Sequence, residues 1–367
     1  MEYHKKYKNL TVIYQDNQGA AMAKNRGLEC AHGKYICFMD PDDYYAQDQA
    51  LELLYFHAEK NQAFVCGGDF VSIADNGKQN RPKKWFSENG MISFADYGDY
   101  YYYTSYIYRA ELIRENNIIF PPYRRYEDPP FLLNIMIHAQ KFYAVNEMIY
   151  AYRVGHKSEK YPLTITLDVL KGIRDCFKMA KKNNLLKVYE EQLKGKLEEY
   201  LDIIYPHAKK GQKEVWDLIY EINEISMDWR GEVSAVFADC ASMEAYVFGL
   251  MRERNHIISE CRAADHVVIY GAGTVGKYFL QSFGKECKRI DGFAVSRKQG
   301  DIAVDGYAVK EIGDYDREAL VFIAVSRQYA EEIVRNLESL QFKKICYAAY
   351  EDLEMAERIC HYLQEDA

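Results

Sequence analysis

No run of about 18 apolar residues, the length needed to cross a bilayer, occurs in the 367-residue sequence. The charged start, Met1 to Lys5, also lacks the apolar core of a secretory signal peptide. Internal repeats and low-complexity tracts are missing too, which excludes solenoids and fibrous or disordered proteins. We therefore expect a cytoplasmic protein without a transmembrane segment, either free or attached to the inner face of the membrane.

Basic residues are in deficit, since 47 Lys and Arg stand against 55 Asp and Glu and give a net charge of −8. Nucleic-acid binding depends on clustered Lys and Arg, so we expect no nucleic-acid partner and favour a small-molecule ligand. The nine cysteines are scattered and include no CxxC pair. This spacing excludes a zinc ribbon and a disulfide framework, and it suits a reducing compartment.

Tyrosine, by contrast, is abundant, with 33 residues that include the run from Tyr100 to Tyr103. Tyrosine rings either pack in a core or stack on sugar rings. Packing is the commoner role and is the one that we expect for most of them.

A chain of this length is expected to form two or three domains. Up to residue 152 short apolar runs alternate with helical patterns, which predicts a mixed α/β sheet. The pattern is then almost wholly helical to residue 262, and strands alternate with helices again from His266. The predicted organisation is an α/β domain over 1–160, a helical linker or bundle over 161–262, and a Rossmann-like doubly wound domain over 263–367.

Within the first region we predict strands at 10–14 and 35–39, with a helix between them. A further strand at 63–66 is expected to end at the Gly67-Gly68 break, and 142–152 is expected to form a closing hairpin. The strand at 35–39 leads directly into Asp40. An acidic cluster therefore lies at the carboxyl end of a strand.

This cluster is Asp40-Pro41-Asp42-Asp43. In an extended segment residues two apart point the same way, so Asp40 and Asp42 would present two carboxylates to one divalent ion. Mg²⁺ or Mn²⁺ suits such ligands and would stabilise the charge on a nucleotide leaving group. Taken alone, however, the four residues are more typical of an acidic turn after a strand.

Further stretches on both sides of the cluster change that interpretation. Residues 17–28 and 33–39 precede the cluster, and Tyr126-Glu127-Asp128-Pro129-Pro130-Phe131 follows about ninety positions later. Next come Ile149-Tyr150-Ala151-Tyr152-Arg153 and Ser158. In this order and spacing, residues 8–158 resemble the family-2 glycosyltransferases of GT-A fold, with their DxD motif, ED motif and tyrosine-rich strand.

The resemblance implies transfer of a sugar, with inversion, from a nucleotide-sugar donor such as a UDP-sugar to a hydroxyl of a glycan or lipid-linked acceptor in surface polysaccharide synthesis. Asp128 matches the catalytic base, and Glu127 would orient or tune it as part of a coupled pair. Without the other motifs, the pair would be a helix N-cap before two prolines.

The expected donor contacts come from the same motifs. They are Asn17, Gly19, Lys24, Asn25, Asp40, Arg153 and His156. Lys24 stands where the family usually has Arg, so it offers a point charge without the bidentate fork. His156 fits a surface loop equally well. Gly67-Gly68-Asp69 is expected to shape the acceptor side.

The sequence departs from the family pattern before Asn17. Family members normally begin with a strand, a helix and a second strand ending in an acidic turn, which together hold the nucleobase and ribose. A central strand that is missing would leave its neighbours' edges exposed. A shortened reading frame, a second chain filling the gap, and a degenerate domain are the three explanations; the last makes a non-catalytic binding or assembly module the alternative function.

A second motif opens the last region, where Gly271, Gly273 and Gly276 form GxGxxG between a strand and a helix. This context allows a pyrophosphate to approach a helix N-terminus. No acidic residue follows the next strand, where Ser296 and Arg297 stand instead. A structural turn and a nucleotide or nucleotide-sugar site both remain open, NAD chemistry is the least supported, and the oligomeric state is undetermined.

Overall fold

The computed structural model describes residues 9–74, 86–100, 102–154, 161–235, 237–297, 303–325 and 327–364. The chain divides into two compact units, Met1–Ala238 and Asp239–Ala367. The helices expected to link two domains are therefore shared between the units. The expected boundaries at 160 and 262 differ from the one at 238, and the three-part division stays a prediction.

A six-stranded mixed sheet forms the centre of the first unit. Its strands are β1 (Tyr35–Cys37), β2 (Tyr44–Tyr45), β3 (Val65–Ala74), β4 (Gly90–Ser93), β5 (Tyr106–Arg109) and β6 (Lys141–Val154). The order is β1-β5-β3-β6-β2, with β4 also paired to β6. β3 and β6 run parallel, whereas the other pairs are antiparallel. The predicted α/β class is confirmed.

Five helices belong to the described part of the chain that carries this sheet. They are α1 (Ala20–Cys30), α2 (Ala50–Lys60), α3 (Phe94–Tyr97), α4 (Ala110–Glu115) and α5 (Asp128–Ala139). The apolar stripes predicted three of them, α1, α2 and α5. Helix α5 carries its prolines in the first turn, where the missing N–H groups cost nothing. Its buried Phe131 stacks on Phe120 with ring centroids 3.7 Å apart. The start of α5 is thereby fixed in the core.

The first unit continues as helices. They are α6 (Leu163–Lys182), α7 (Leu186–Val188), a π-helix (Tyr189–Leu193), α8 (Lys196–Glu199), α9 (Leu201–Lys209) and α10 (Lys213–Arg230). Helix α6 contacts both α5 and α10. The helical segment therefore packs directly against the helix that begins at Asp128.

Three expectations for the first sheet are wrong. Residues 10–14 form no strand, and Tyr14 is 78% exposed, because no neighbouring strand completes their hydrogen bonds in the described part of the chain. β3 continues through Gly67 and Gly68, since a β-bulge follows Gly68 and an added Cβ on Gly67 would lie 2.0 Å from Tyr106. β6 is one long strand instead of a hairpin because it pairs with β3 along most of its length.

The second unit contains the predicted alternation of strands and helices. They are α11 (Cys240–Ala263), β7 (Val267–Tyr270), α12 (Thr274–Phe283), β8 (Ile290–Val295), β9 (Ala303–Val304), β10 (Tyr307–Glu311), β11 (Leu320–Ile323), α13 (Arg327–Ser339), β12 (Lys344–Tyr347) and α14 (Tyr350–Gln364). The short strand β9 is additional, and the helix α11 was expected in the linker. The sheet order is β12-β11-β7-β8-β10-β9, with every pair parallel except β9 with β10.

Both faces of this second sheet are covered. Val267 and Ile269 belong to one apolar cluster, whereas Val268 and Tyr270 belong to another. Alternate residues of one strand thus enter two cores, as a doubly wound fold requires. The predicted Rossmann-like architecture is confirmed. No helix among the described residues is both long and apolar enough to cross a membrane.

Candidate active site

The acidic motif forms a turn between β1 and β2. The Asp43 N–H donates to the Asp40 carbonyl over 3.1 Å, and Pro41 takes the second position, where its fixed φ favours a turn. The expected extended geometry, with Asp40 and Asp42 related by strand alternation, is therefore wrong. Asp42 is exposed, and the Asp40 side chain keeps 36% of its surface exposed. Both carboxylates remain accessible to a ligand.

Strand β6 holds this turn in place. The Tyr150 hydroxyl accepts from the Asp40 N–H at 3.1 Å and donates to Asp43 Oδ2 at 2.8 Å. The Arg153 N–H donates to Asp43 Oδ1 at 2.8 Å. Burial, followed by the charges of Asp42 and Asp40, raises the pKa of the Asp43 carboxyl against the lowering effect of these hydrogen bonds. Asp43 therefore anchors the turn.

Lys24, on α1, connects the two acidic motifs. Its Nζ lies 2.9 Å from Glu127 Oε1 and 4.0 Å from Asp40 Oδ1. The ammonium also lies over the rings of Tyr103 and Phe120, 4.7 and 5.2 Å from their centroids. Only 16% of this side chain is exposed. One cation thus joins residues that are far apart in the sequence.

Glu127 and Asp128 lie where α5 begins. Glu127 is the N-cap residue, yet its side chain makes no capping hydrogen bond and pairs with Lys24 instead. Burial of Asp128, reinforced by the neighbouring Glu127 charge and opposed by Lys24, raises the pKa of Asp128 to about 6. An acid with this pKa is ionised at neutral pH but holds a proton firmly enough to act as a base.

The residue before this pair is held by α6. Tyr126 is buried and has a φ of +67°, which is unusual for a residue other than glycine. A Cβ added to Gly172 would lie 2.6 Å from Tyr126 Cδ1 and 2.7 Å from its carbonyl oxygen. The Tyr126 ring also meets Tyr200 edge-on at 5.3 Å. The helical segment therefore fixes the backbone that leads into Glu127.

Residues predicted to bind the donor are distributed around α1. Asn17 Oδ1 accepts from the Gly19 N–H at 3.1 Å just before the helix. Asn25 exchanges two hydrogen bonds of 2.8 Å with the backbone of Phe120, so its amide fastens α1 to the chain ahead of α5. Lys24 and Asn25 are neighbours in sequence but engage different partners. Donor binding by these residues stays a prediction.

The other predicted donor residues are on or after β6. The Arg153 guanidinium carbon lies 5.7 Å from the Tyr44 ring centroid, while its backbone N–H holds the acidic turn. His156 and Ser158 lie outside the described residues. Asp69 is buried and accepts from the Phe86 N–H at 3.2 Å. The acceptor-side role expected for its segment stays a prediction.

Residues of the acidic turn suit a divalent ion that also binds a substrate phosphate. Within the described ranges no group of three or more His, Cys, Asp or Glu residues could hold a metal by itself. Mg²⁺ commonly takes one or two carboxylates and completes its shell with phosphate oxygens and water. The accessible carboxylates of Asp40 and Asp42 fit that donor set. Metal binding remains a proposal.

Two tyrosines hold the acidic turn, of which Tyr150 belongs to the tyrosine-rich motif at 149–153, whereas the contact made by Tyr103 has no signal in the sequence. Tyr103 donates from its hydroxyl to Asp40 Oδ1 at 3.2 Å, and Tyr150 binds both ends of the turn. Tyr103 belongs to a run of four tyrosines for which packing was the expected role. Tyr102, before it, has a φ of +61°. Alternation cannot predict side-chain directions across such a residue.

The glycine turn of the second unit shows strict packing requirements. Gly271 has a φ of +117°, and an added Cβ would lie 2.3 Å from the Ala324 carbonyl oxygen. A Cβ on Gly276 would lie 1.9 Å from the Gly271 oxygen, whereas Gly273, before α12, has open space around it. These contacts alone account for Gly271 and Gly276. A nucleotide site here stays a prediction.

Residues 1–122 match the Glycosyl transferase family 2 profile, so the first unit contains a glycosyltransferase domain of that family. Among curated proteins, the chain is 29% identical over 168 residues to the uncharacterized glycosyltransferase EpsJ of Bacillus subtilis (strain 168), covering 43% of this chain and 48% of EpsJ. It is 30% identical over 163 residues to a poly(ribitol-phosphate) beta-glucosyltransferase of Bacillus spizizenii, covering 43% of this chain and 25% of that protein.

Among solved structures, the chain matches S. aureus TarS 1-349 in complex with UDP-GlcNAc. The TM-score is 0.47 at 17% sequence identity, with 70% of this chain and 73% of that chain covered. Among the curated relatives, the chain spans half or less of the length of both EpsJ and the glucosyltransferase.

Proposed function

We propose that this chain transfers a sugar, with inversion, from a nucleotide-sugar donor to a hydroxyl of a glycan or lipid-linked acceptor during surface polysaccharide synthesis. A UDP-sugar is the donor that the motif resemblance favours. The observation that carries the proposal is the Lys24 bridge, which unites Asp40 of the acidic turn with Glu127 beside Asp128. The family 2 profile match and the glycosyltransferase relatives support the same reaction.

In this proposal Asp128 removes the proton from the acceptor hydroxyl. The acceptor oxygen forms its bond to the anomeric carbon as the bond to the donor's phosphate oxygen breaks on the opposite face, and a nucleoside diphosphate leaves. Asp128 suits the task because burial and Glu127 raise its pKa to about 6. Lys24 balances the negative charge of the site without neutralising the base itself.

Asp40 and Asp42 would hold a Mg²⁺ or Mn²⁺ ion, whose charge would stabilise the leaving diphosphate. Tyr103 and Tyr150 fix the turn that presents these carboxylates. We expect Asp42→Asn to weaken Mn²⁺ binding at least tenfold, measured by the loss of the free Mn²⁺ electron paramagnetic resonance signal without any substrate. Equal Mn²⁺ affinity in the variant and the parent would contradict the metal assignment.

The reaction is tested by incubating the chain with Mn²⁺ and a panel of nucleotide sugars and measuring nucleoside diphosphate release. Asp128→Asn should reduce transfer by about 100-fold or more, the usual range for loss of a general base. The matched control is Asp217→Asn on α10, an exposed carboxylate paired only with Lys213 in the hydrogen bonds of the described chain.

Two results would favour the alternative function. A chain that neither binds nor hydrolyses any donor, or an Asp128→Asn variant as active as its parent, would indicate a non-catalytic assembly module. Adding a strand–helix–strand unit ahead of residue 17 provides the second arm of this test, because such a unit holds the donor's nucleobase in the family that the motifs resemble.

A further inference from the structure

Two tyrosines beside the acidic turn form a corner of aromatic rings. The ring centroids of Tyr102 and Tyr152 lie 6.2 Å apart with an interplanar angle of 70°. Tyr102 is backed by Phe70, whose ring stacks on it at 3.6 Å. Tyr152 keeps 39% of its surface exposed, although Phe70 is buried. We call Tyr102 and Tyr152 the aromatic corner.

The aromatic corner lies on the face of the sheet that carries the site. Phe70 pairs with Tyr150 and Ser72 with Tyr152 in the β3–β6 register. Residues two apart in a strand share a face, so Tyr152 lies on the side of Tyr150, which holds the acidic turn. Burial raises the pKa of Tyr152, and the charges of the turn's aspartates raise it further. The corner is therefore next to the carboxylates.

The backbone conformation at Tyr102 directs the side chains of Tyr102 and Tyr103 to different contacts. Tyr102 has a φ of +61°, a conformation that costs a residue other than glycine on the order of 1 kcal/mol. This conformation places the Tyr103 ring under the Lys24 ammonium and lets its hydroxyl donate to Asp40. The Tyr102 ring meanwhile stacks against Phe70. A strained residue between two site contacts points to a functional constraint.

Contacts connect the aromatic corner with the proposed base. Tyr103, the residue after Tyr102, has its ring centroid 4.7 Å from the Lys24 ammonium. Lys24 in turn pairs with Glu127 at 2.9 Å, directly before Asp128. The corner therefore adjoins the residues that lead to the base.

We propose that the aromatic corner is the binding subsite for a sugar ring of the acceptor. This inference rests on the proposed function. A sugar ring presents C–H groups on its faces, and these pack against aromatic rings. The acceptor is favoured over the donor's nucleobase because Tyr103, next to Tyr102, lies against Lys24, which pairs with Glu127 beside the base that deprotonates the acceptor.

The test measures saccharide binding separately from turnover. Saturation-transfer difference NMR with methyl glycosides of glucose, galactose and N-acetylglucosamine should show transfer from the protein to ring C–H protons. Tyr152→Ala should abolish that signal and lower kcat/KM for saccharide acceptors by on the order of tenfold, while donor hydrolysis in water stays within twofold. Tyr152→Phe keeps the ring and should behave like the parent.

Tyr220→Ala on α10 is the matched control, because Tyr220 is 43% exposed in the same unit. Circular dichroism checks that each variant is folded. Glycoside signals that are unchanged in Tyr152→Ala would overturn the subsite. A Tyr152→Ala variant that loses uridine binding but keeps glycoside binding would assign the corner to the nucleobase. A chain that binds glycosides without releasing nucleoside diphosphate would instead reject the proposed function and leave the subsite standing.

Discussion

The Asp128 carboxyl responds to opposing charges on either side. Burial and the neighbouring Glu127 charge raise the pKa of Asp128 to about 6, and the Lys24 charge opposes this rise. A base acts only when ionised, so kcat/KM for transfer should rise with pH and level off above a midpoint near 6. Glu127→Gln should lower the midpoint, whereas Lys24→Met should raise it. A pH series of initial rates measures both shifts.

Opposite movements in these two variants would identify Asp128 as the titrating group. A midpoint that stays fixed in both would mean that another residue controls the rate. Asp217→Asn, with its carboxylate far along the helical segment on α10, provides the control for a general change in surface charge.

The same carboxyl should weaken the fold at neutral pH. Its pKa rises from an ordinary value of 3.8 to about 6, so the folded state binds the proton more tightly than the unfolded chain. The stability that this proton provides is complete below about pH 4 and is lost as pH rises through 6. Asp128→Asn should therefore raise the melting temperature at pH 7.5 by a few degrees and change it little at pH 4.

Differential scanning fluorimetry at the two pH values checks this difference. An equal change in the melting temperature at both pH values would show that the effect comes from packing and not from ionisation.

The structure brings together four residues that the sequence motifs predict for the site. Lys24 pairs with Glu127 and lies 4.0 Å from Asp40, and Asp128 directly follows Glu127, while the roles of all four stay predictions. The contact made by Tyr103 has no signal in the sequence, because the direction of its side chain depends on the left-handed conformation of Tyr102 before it. A run of four tyrosines does not show which of them adopts that conformation.

Helix α6 packs against Tyr126, just before the site, at Gly172, a residue without a side chain. Gly172 allows the Tyr126 carbonyl to approach to a distance at which a methyl group would clash. Gly172→Ala should cost about 1–3 kcal/mol of unfolding free energy, because backbone cannot move aside as a flexible side chain does. It should also reduce kcat more than KM, since the displaced Tyr126 leads directly into Glu127.

Gly27→Ala is the matched control on α1, where an added Cβ would meet nothing within 4 Å. That change should be neutral or stabilise the helix by up to about 1 kcal/mol. Urea unfolding and steady-state kinetics measure the pair. A Gly172→Ala variant with unchanged kcat would show that α6 does not position the site.

Elements whose own residues carry a clear apolar pattern are predicted correctly. Strands whose extent depends on a neighbouring strand are not. Helix α5 and strand β7 followed from their apolar stripes and runs. β3 was expected to stop at Gly67-Gly68, yet the Tyr106 ring fills the space beside Gly67, and Ile149 fills the space beside Gly68. Residues 10–14 have the composition of a strand, but a strand forms only where a neighbour completes its ladder.

The boundary between the units was also beyond the sequence pattern. Helices α10 and α11 are both long and rich in charged residues, so in the sequence they resemble one continuous helical region. Two local signs are the left-handed Gly231, which ends α10, and the capping box at Asp239, whose Oδ1 accepts from the Ser242 N–H at 2.8 Å and so starts a new helix. Composition is too coarse to separate domains at such a point.

Each unit has its own core. Phe322 is 2% exposed and stacks on Phe279 at 3.6 Å within an apolar cluster formed only by residues of the second unit. Phe322→Ala should cost about 3–5 kcal/mol there. Hydrogen exchange resolved by segment should speed up in β7, β8 and β11 more than in β3 and β6.

Phe248→Ala provides the control, because Phe248 lies on α11 of the same unit and is 70% exposed. Its exchange pattern should match that of the parent. Equal acceleration of all strands by Phe322→Ala would mean that the whole chain unfolds as one cooperative body.

Parallel pairing of β3 with β6 affects how the protein is made on the ribosome. Cys66 of β3 pairs with Tyr143 of β6, so the edge of β3 that faces β6 stays unpaired until the intervening chain has been translated. Tyr150, which clamps the acidic turn, emerges later, and Gly172 later still. The nascent chain therefore carries the acidic turn before Tyr150 is available to hold it, and one edge of β3 stays unpaired until Lys141–Val154 has been translated.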